Sequence, residues 1–180
     1  LYESFNGIWL FDIDRRTLRQ QSIPATLPKW AVWGPGENQF TFAGGTDGVA
    51  GLFTKELNSG PSEMDRIAME GFPIPAAWNP NRPELLMHYR KSLDSRTVLA
   101  SRTHEGELNE IIGEGIYYEH VDFSPDGKWI VYRSNEAGTG SRIFARPYPG
   151  PGASIQISRD GNAREPCWSA EGTEIFYLTP

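Results

Sequence analysis

The chain is short of cysteine, histidine and positive charge, and each shortage argues against a class of function. A single cysteine in 180 residues, Cys167, cannot form an internal disulfide. The three histidines, His88, His104 and His120, form no His-Glu-x-x-His motif, and no Cys or His pair stands at zinc spacing. Neither a metal nor another cofactor is expected. A net charge of −6 and a pI near 5.1 argue against a nucleic-acid partner, because neutralising phosphates needs a basic face. No apolar run approaches the roughly 20 residues that span a bilayer, so this segment is not expected to insert in a membrane. Amphipathic stretches and a signal peptide are also missing from the sequence. Hydrophobic content of 38% with 22% charged residues is too apolar for disorder and fits a folded domain.

What the sequence has is a period. Trp33, Trp78, Phe123 and Trp168 follow one another at intervals of 45 residues. Seven positions beyond them stand Phe40, Leu85, Ile130 and Ile175, and nine beyond stand Phe42, Met87, Tyr132 and Tyr177. Twenty beyond are Phe53, Val98 and Ile143, and one period before Phe53 lies Ile8. Ile67, Ile112 and Ile157 mark a last apolar column. A fixed period of this size is the signature of a repeat architecture.

Within a repeat the apolar residues alternate, as half-buried strands require. Phe40-Thr41-Phe42, Ile130-Val131-Tyr132 and Ile175-Phe176-Tyr177 are rich in β-branched and aromatic residues. Gly34-Pro35-Gly36, Asn79-Pro80-Asn81, Ser124-Pro125-Asp126-Gly127 and Ala170-Glu171-Gly172 punctuate the chain as tight reversals. A third strand follows over 51–57, 97–102 and 141–146, and a fourth centres on Ile67, Ile112 and Ile157. The 19 Gly and 14 Pro, spread along the chain, argue against helix. Four short antiparallel strands per 45 residues make the blade of a β-propeller.

The expected fold is therefore all-β, a propeller of four four-stranded antiparallel blades. The expected division is a half blade at 1–26, blades at 27–71, 72–116 and 117–161, and a half blade at 162–180. The two half blades could complete one blade, but the preferred expectation is an open arc cut from a larger ring. Trp33, Trp78, Phe123 and Trp168 are expected to be inner-strand core anchors, one per blade, and not ligands. Cys167 is expected to be a buried small hydrophobe. Asp12 and Asp14 form an Asp-x-Asp pair at the turn from third to fourth strand, where a polar hairpin is expected in place of a calcium site.

The third repeat reads His120-Val121-Asp122-Phe123-Ser124-Pro125-Asp126-Gly127-Lys128-Trp129-Ile130-Val131-Tyr132-Arg133-Ser134-Asn135-Glu136, and the fourth opens Arg164-Glu165-Pro166-Cys167-Trp168-Ser169-Ala170-Glu171-Gly172. Both resemble the TolB-type, WD40-like β-propeller repeat. The tract Ile143-Phe144-Ala145-Arg146-Pro147-Tyr148-Pro149-Gly150-Pro151-Gly152, followed by Gln156-Ile157-Ser158-Arg159-Asp160-Gly161, resembles the propellers attached to bacterial membrane-bound serine/threonine protein kinases and related regulators. The likeness is strongest from His120 onward and weaker in the first two repeats, where other residues replace Ser-Pro-Asp-Gly. It implies an extracytoplasmic, periplasmic location and a non-catalytic role.

No catalytic set is legible. There is no Gly-x-Ser-x-Gly elbow and none of the kinase motifs, so any kinase or hydrolase domain would lie outside this segment. What remains is recognition of a protein or peptide, or of a small polar ligand. The alternative is the substrate-gating propeller of a serine peptidase or other hydrolase. Propellers bind at the mouth of the central channel, where the chain enters each first strand. In register those positions carry Lys29-Trp30, Ile74-Pro75, Glu119-His120 and Arg164-Glu165. Trp30, Tyr118, His120, Arg164 and Glu165 form the expected mixed aromatic and charged binding set. The Gly-rich segments 43–50 and 134–141 are expected to flank it as mobile loops.

Overall fold

A computed structural model of the chain describes residues 7–36, 38–60, 63–113, 118–138, 140–159 and 161–179, with Tyr118 described in its backbone alone. The strands β1 (Trp9–Asp12) and β2 (Thr17–Gln20) form a two-stranded antiparallel sheet. Its turn is polar as expected, with Asp12 Oδ1 accepting the Arg15 N–H at 2.9 Å. The strands β3 (Thr26–Trp33), β4 (Gln39–Thr46), β5 (Val49–Glu56) and β6 (Asp65–Ile67) form a four-stranded sheet in that order. A second four-stranded sheet holds β7 (Phe72–Trp78), β8 (Glu84–Arg90), β9 (Val98–Thr103) and β10 (Leu108–Ile112). A third holds β11 (Tyr118–Phe123), β12 (Trp129–Ser134), β13 (Arg142–Pro147) and β14 (Ile155–Gln156). The last sheet pairs β15 (Arg164–Trp168) with β16 (Ile175–Leu178). Among the described residues there is no helix.

The 45-residue period reappears in the strand pairing. Each anchor ends a first strand, and for three of them the partner across the ladder is the residue seven positions on: Trp33↔Phe40, Phe123↔Ile130 and Trp168↔Ile175. The turn that follows closes the same way four times. The N–H groups of Gly34, Asn79, Ser124 and Ser169 donate to the carbonyls of Gln39, Glu84, Trp129 and Glu174 at 2.7–2.9 Å. In the Ser-Pro-Asp-Gly turn the buried Ser124 Oγ donates to Asp126 Oδ1 at 2.6 Å and accepts the Trp129 N–H at 3.0 Å. That hydroxyl, with the Lys128 N–H, holds the Asp126 carboxyl below the usual carboxylate range. The motif is structural: it fixes the reversal between first and second strands.

The chain divides into two compact units, residues 1–75 with 89–95, and residues 76–88 with 96–180. In the first unit Phe40, Phe42 and Phe53 form the core, backed by Ile8, Ile23, Ala25, Leu57 and Met64. Phe42 and Phe53 stack with ring centroids 5.7 Å apart. In the second unit β12 lies between two apolar clusters. Ile130 and Tyr132 face Phe123, Phe144 and Tyr148, while Val131 faces Ile143 and Ala163 on the other side. Burial on both faces explains why the strand reads as an unbroken apolar run, and each such side chain contributes about 1.5–3 kcal/mol.

The structure corrects three expectations. Segment 43–50 is not a loop, because β4 and β5 run to a two-residue turn at Asp47-Gly48 with Thr46 paired to Val49. Positive φ at both turn residues (53° and 78°) gives the I′ geometry that matches strand twist. Cys167 is exposed, since β15 alternates and Pro166 takes the buried side. Of the four anchors, Phe123 is buried and Trp78 and Trp168 are half-buried, but Trp33 is 60% exposed. Its ring flanks a shallow apolar pocket with Ile8, Leu10, Val32 and Leu57 instead of filling a core.

Candidate recognition site

The first strands carry a repeated irregularity just before their anchors. In β3 the register shifts between Lys29 and Val32, in β11 between Glu119 and Asp122, and in β15 between Arg164 and Cys167. Two residues of the first strand oppose one residue of the second at each place, which defines a β-bulge. The single opposing residues, Phe42, Tyr132 and Tyr177, form the aromatic column read nine positions after the anchors. The first residue of each bulge is left-handed: Trp30 at φ 52°, His120 at 48° and Glu165 at 53°. All three are exposed. The corresponding residue of the second repeat is Pro75, whose ring fixes φ near −65° and forbids this conformation.

A bulged left-handed slot usually holds glycine, and a bulky residue there is an outlier costing roughly 1–2 kcal/mol. Such strain in a half-exposed side chain is not offset by core packing. It is the kind of departure that concentrates at binding sites. Three residues of the expected set, Trp30, His120 and Glu165, therefore share one local geometry. Arg164 precedes Glu165 in β15, is exposed, and pairs across the ladder with Leu178. Tyr118 begins β11 opposite Ser134, and its side chain lies outside the described residues.

In the second unit β11, β12 and β15 pack against one another, which places His120, Arg164 and Glu165 on neighbouring strands. Arg133 on β12 ties them together. It pairs with Glu119 across the ladder and donates from Nε to the Ala163 carbonyl at 3.0 Å, just ahead of β15. Sequence reasoning missed Arg133, although its position opposite Glu119 follows from the register. His88 belongs to the same neighbourhood. Burial lowers its pKa below the ordinary imidazole value, the charge of Glu119 works against that shift, and His120 reinforces it. This is a polar, hydrogen-bonded surface of mixed charge.

Trp30 belongs to the first unit and lines a different feature. An open groove of about 380 Å³ is bounded by Leu27, Lys29, Trp30, Phe72 and Arg90, over a floor that includes Gly44 and Gly45. Lys29 Nζ lies 5.6 Å from the Trp30 ring centroid, and the Arg90 guanidinium lies 5.8 Å from that of Phe72. Sequence reasoning found Trp30 with its neighbour Lys29, but not Phe72 and Arg90, which come from β7 and β8. Among the described residues no group of three or more His, Cys, Asp or Glu gathers as a metal site, and no helix is long and apolar enough to cross a membrane.

Antiparallel four-stranded sheets repeating at 45-residue intervals, each with a first strand at its edge, define a β-propeller built of blades. The fold is TolB-like. A protein assigned as a TolB from Agrobacterium tumefaciens matches with a TM-score of 0.68 at 17% identity, covering 87% of this chain and 57% of that one. A chain of a nidogen–laminin complex matches with a TM-score of 0.70 at 10% identity, over 96% of this chain and 66% of that one. A prolyl endopeptidase matches with a TM-score of 0.59 at 14% identity, over 89% of this chain and 26% of that one. This chain thus spans a little over half the length of the TolB protein. No family model matches the chain, and no curated protein matches it in sequence.

Proposed function

We propose that this chain is a non-catalytic recognition propeller that binds a protein or peptide segment through its bulged first strands. The observation that carries this reading is the recurrence of exposed, left-handed, non-glycine residues at one repeat position: Trp30, His120 and Glu165. The nidogen–laminin complex supports it as a case where a chain of this fold works within a protein assembly. The tract from Ile143 to Gly161 supports the finer reading, a sensor or scaffold on the extracytoplasmic side of a larger bacterial signalling protein joined to a kinase. Blade boundaries at 27–71, 72–116 and 117–161, within an arc of a larger ring, belong to the same proposal.

A random-peptide display selection against the immobilised 180-residue chain tests the recognition reading. Enriched peptides should shift the backbone amide resonances of Trp30, His120 or Glu165 and their neighbours. Failure to enrich any sequence over a blank surface, or mapping to the outer strands β6, β10 and β14, would overturn it. The likeness to a prolyl endopeptidase favours a second reading, a propeller that gates substrate entry to a hydrolase. A Ser-Asp-His domain in the same polypeptide would establish that reading over the first. A kinase domain with a membrane helix would exclude it.

A further inference from the structure

We infer that the groove of the first unit selects an extended acidic peptide segment carrying an aromatic side chain beside its carboxylates. This rests on the recognition reading and assigns a ligand chemistry to one part of that surface. The first argument is conformational. Strand β3 carries two register shifts in succession, between Thr26 and Lys29 and between Lys29 and Val32. Each shift contains a left-handed residue, Leu27 at φ 48° and Trp30 at φ 52°. Both are large, apolar and more than half exposed, and both line the groove. A strand that only needed to bend would do so more cheaply with Gly or Asn at these positions. Leu27 and Trp30 are held out of the ladder, with their side chains available to a partner.

The second argument is the floor. Gly44 and Gly45 sit beneath the two bulges, and added side chains would crowd their neighbours. A Cβ on Gly45 would stand 2.8 Å from Thr26 Oγ1, and one on Gly44 would stand 3.2 Å from the Ala25 methyl. The trough thus stays open to its backbone, with room within the range of small-ligand and peptide subsites.

Charge is the third argument, and it selects the partner. The charged residues lining the groove are Lys29 and Arg90, and no carboxylate lines it. Arg66 adds to them, its Nε 3.2 Å from where a Cβ on Gly51 would lie. In a chain of net charge −6 this is a local reversal of sign. Lys29 and Arg90 each sit over an aromatic ring, so their positions are tied to the apolar walls. An aromatic side chain can enter between Trp30 and Phe72 while flanking carboxylates meet the two cations. The bulges disrupt the hydrogen-bonding edge of β3, so capture by side chains is favoured over strand addition.

Isothermal titration of the 180-residue chain with three peptides tests this. The probes are Ac-Ala-Asp-Phe-Glu-Ala-NH2, its Lys-Phe-Lys counterpart and its Asp-Ala-Glu counterpart. The first should bind at least tenfold more tightly than either of the others. Arg90→Gln and Trp30→Gly should each weaken it at least tenfold, while Glu171→Gln, on an exposed turn of the second unit, leaves it unchanged. Trp30→Gly keeps the fold because glycine suits the positive φ, and a melting temperature that does not fall verifies that. Equal affinity for the Lys-Phe-Lys peptide, no saturable binding at millimolar concentration, or indifference to Arg90→Gln overturns the assignment. So does binding of phenylacetate as tightly as the peptide, which would mark a small-molecule pocket. If displayed peptides map to His120 and Arg133 while the acidic aromatic peptide fails to bind, this inference falls and the recognition reading stands.

Discussion

Gly127 is where a turn of the third blade locks onto the turn of the second, so Gly127→Ala tests how the repeats are fastened. Gly127 has φ +65°, and an added Cβ would stand 2.4 Å from Asn79 Oδ1 and 3.0 Å from Asn79 Cγ and Nδ2. Asn79 is 1% exposed and cannot swing into solvent. Its Nδ2 donates to the Gly127 carbonyl at 3.0 Å, and its Oδ1 accepts the Asn81 N–H at 2.9 Å. Forcing alanine into the left-handed region costs roughly 1–2 kcal/mol, less about 0.4–1 kcal/mol for the stiffer unfolded chain. Displacing Asn79 leaves a buried amide short of partners, at about 1–3 kcal/mol. The expected loss is about 2–4 kcal/mol, read from urea unfolding followed by circular dichroism. Gly48→Ala is the control. It has φ +78° with no heavy atom within 4 Å of the added carbon, so only the backbone part, about 1 kcal/mol, remains. A difference between the two variants below about 1 kcal/mol would refute the interlocking of Asn79 with the Gly127 turn.

Ser124→Ala removes both the acceptor for the Trp129 N–H and the donor to Asp126, and should lower stability by about 1–2 kcal/mol. Nuclear magnetic resonance titration should show the Asp126 carboxyl rising toward its ordinary range, and a carboxyl that does not move would contradict its assigned cause. His88 should make the fold acid-sensitive. Its folded-state pKa lies below the unfolded value of about 6.5, so the unfolded chain binds the proton first as pH falls. Stability should therefore decline from about pH 6.5 downward, and His88→Gln should abolish that part of the decline. Trp30→Gly should be neutral or stabilising by up to about 1 kcal/mol, since relief of positive φ outweighs the added unfolded-state freedom. A loss above 1 kcal/mol would mean that the Trp30 ring supports the fold.

The blade plan was legible because its signals are local and repeated. Alternating strands, Pro and Gly punctuation and the apolar columns each report on a few neighbouring residues, and the period put them in register. The turn at Asp47-Gly48 carries a recognised two-residue hairpin signal, but the glycines around it resembled a flexible loop. Trp33 and Cys167 were misread for another reason. Their exposure depends on which face of a first strand is covered, and this differs between repeats with the same apolar pattern. The site was half legible. Register located Trp30, His120 and Glu165, but nothing in those residue types signals a left-handed bulge. Phe72, Arg90 and Arg133 reach the two surfaces from other strands, so only the folded chain reveals them.

The repeats also allow a comparison within the chain that separates scaffold from recognition. Turn positions at Gly34, Asn79, Ser124 and Ser169 make the same backbone hydrogen bond in every repeat. The bulge position instead holds Trp30, Pro75, His120 and Glu165: an indole, an imino acid, an imidazole and a carboxylate. Variation at an exposed site could be drift, but drift on a left-handed backbone should drift toward Gly, Asn, Asp or His. Most turns of this same chain behave that way, with Asp47 and Asn162 left-handed beside many glycines and Arg16 the exception. Leu27, Trp30 and Glu165 do not, although they sit inside strands where positive φ is harder to accommodate. A recurring backbone strain combined with a changing side chain fits the proposed recognition role, in which each bulge displays its own chemical group. On that view Pro75 marks the repeat that gives up the bulge, and Pro75→Gly would restore the conformation without restoring a side chain. Such a variant should leave peptide affinity unchanged, and an increase would show that the backbone of the bulge itself, not the side chain it displays, makes the contact.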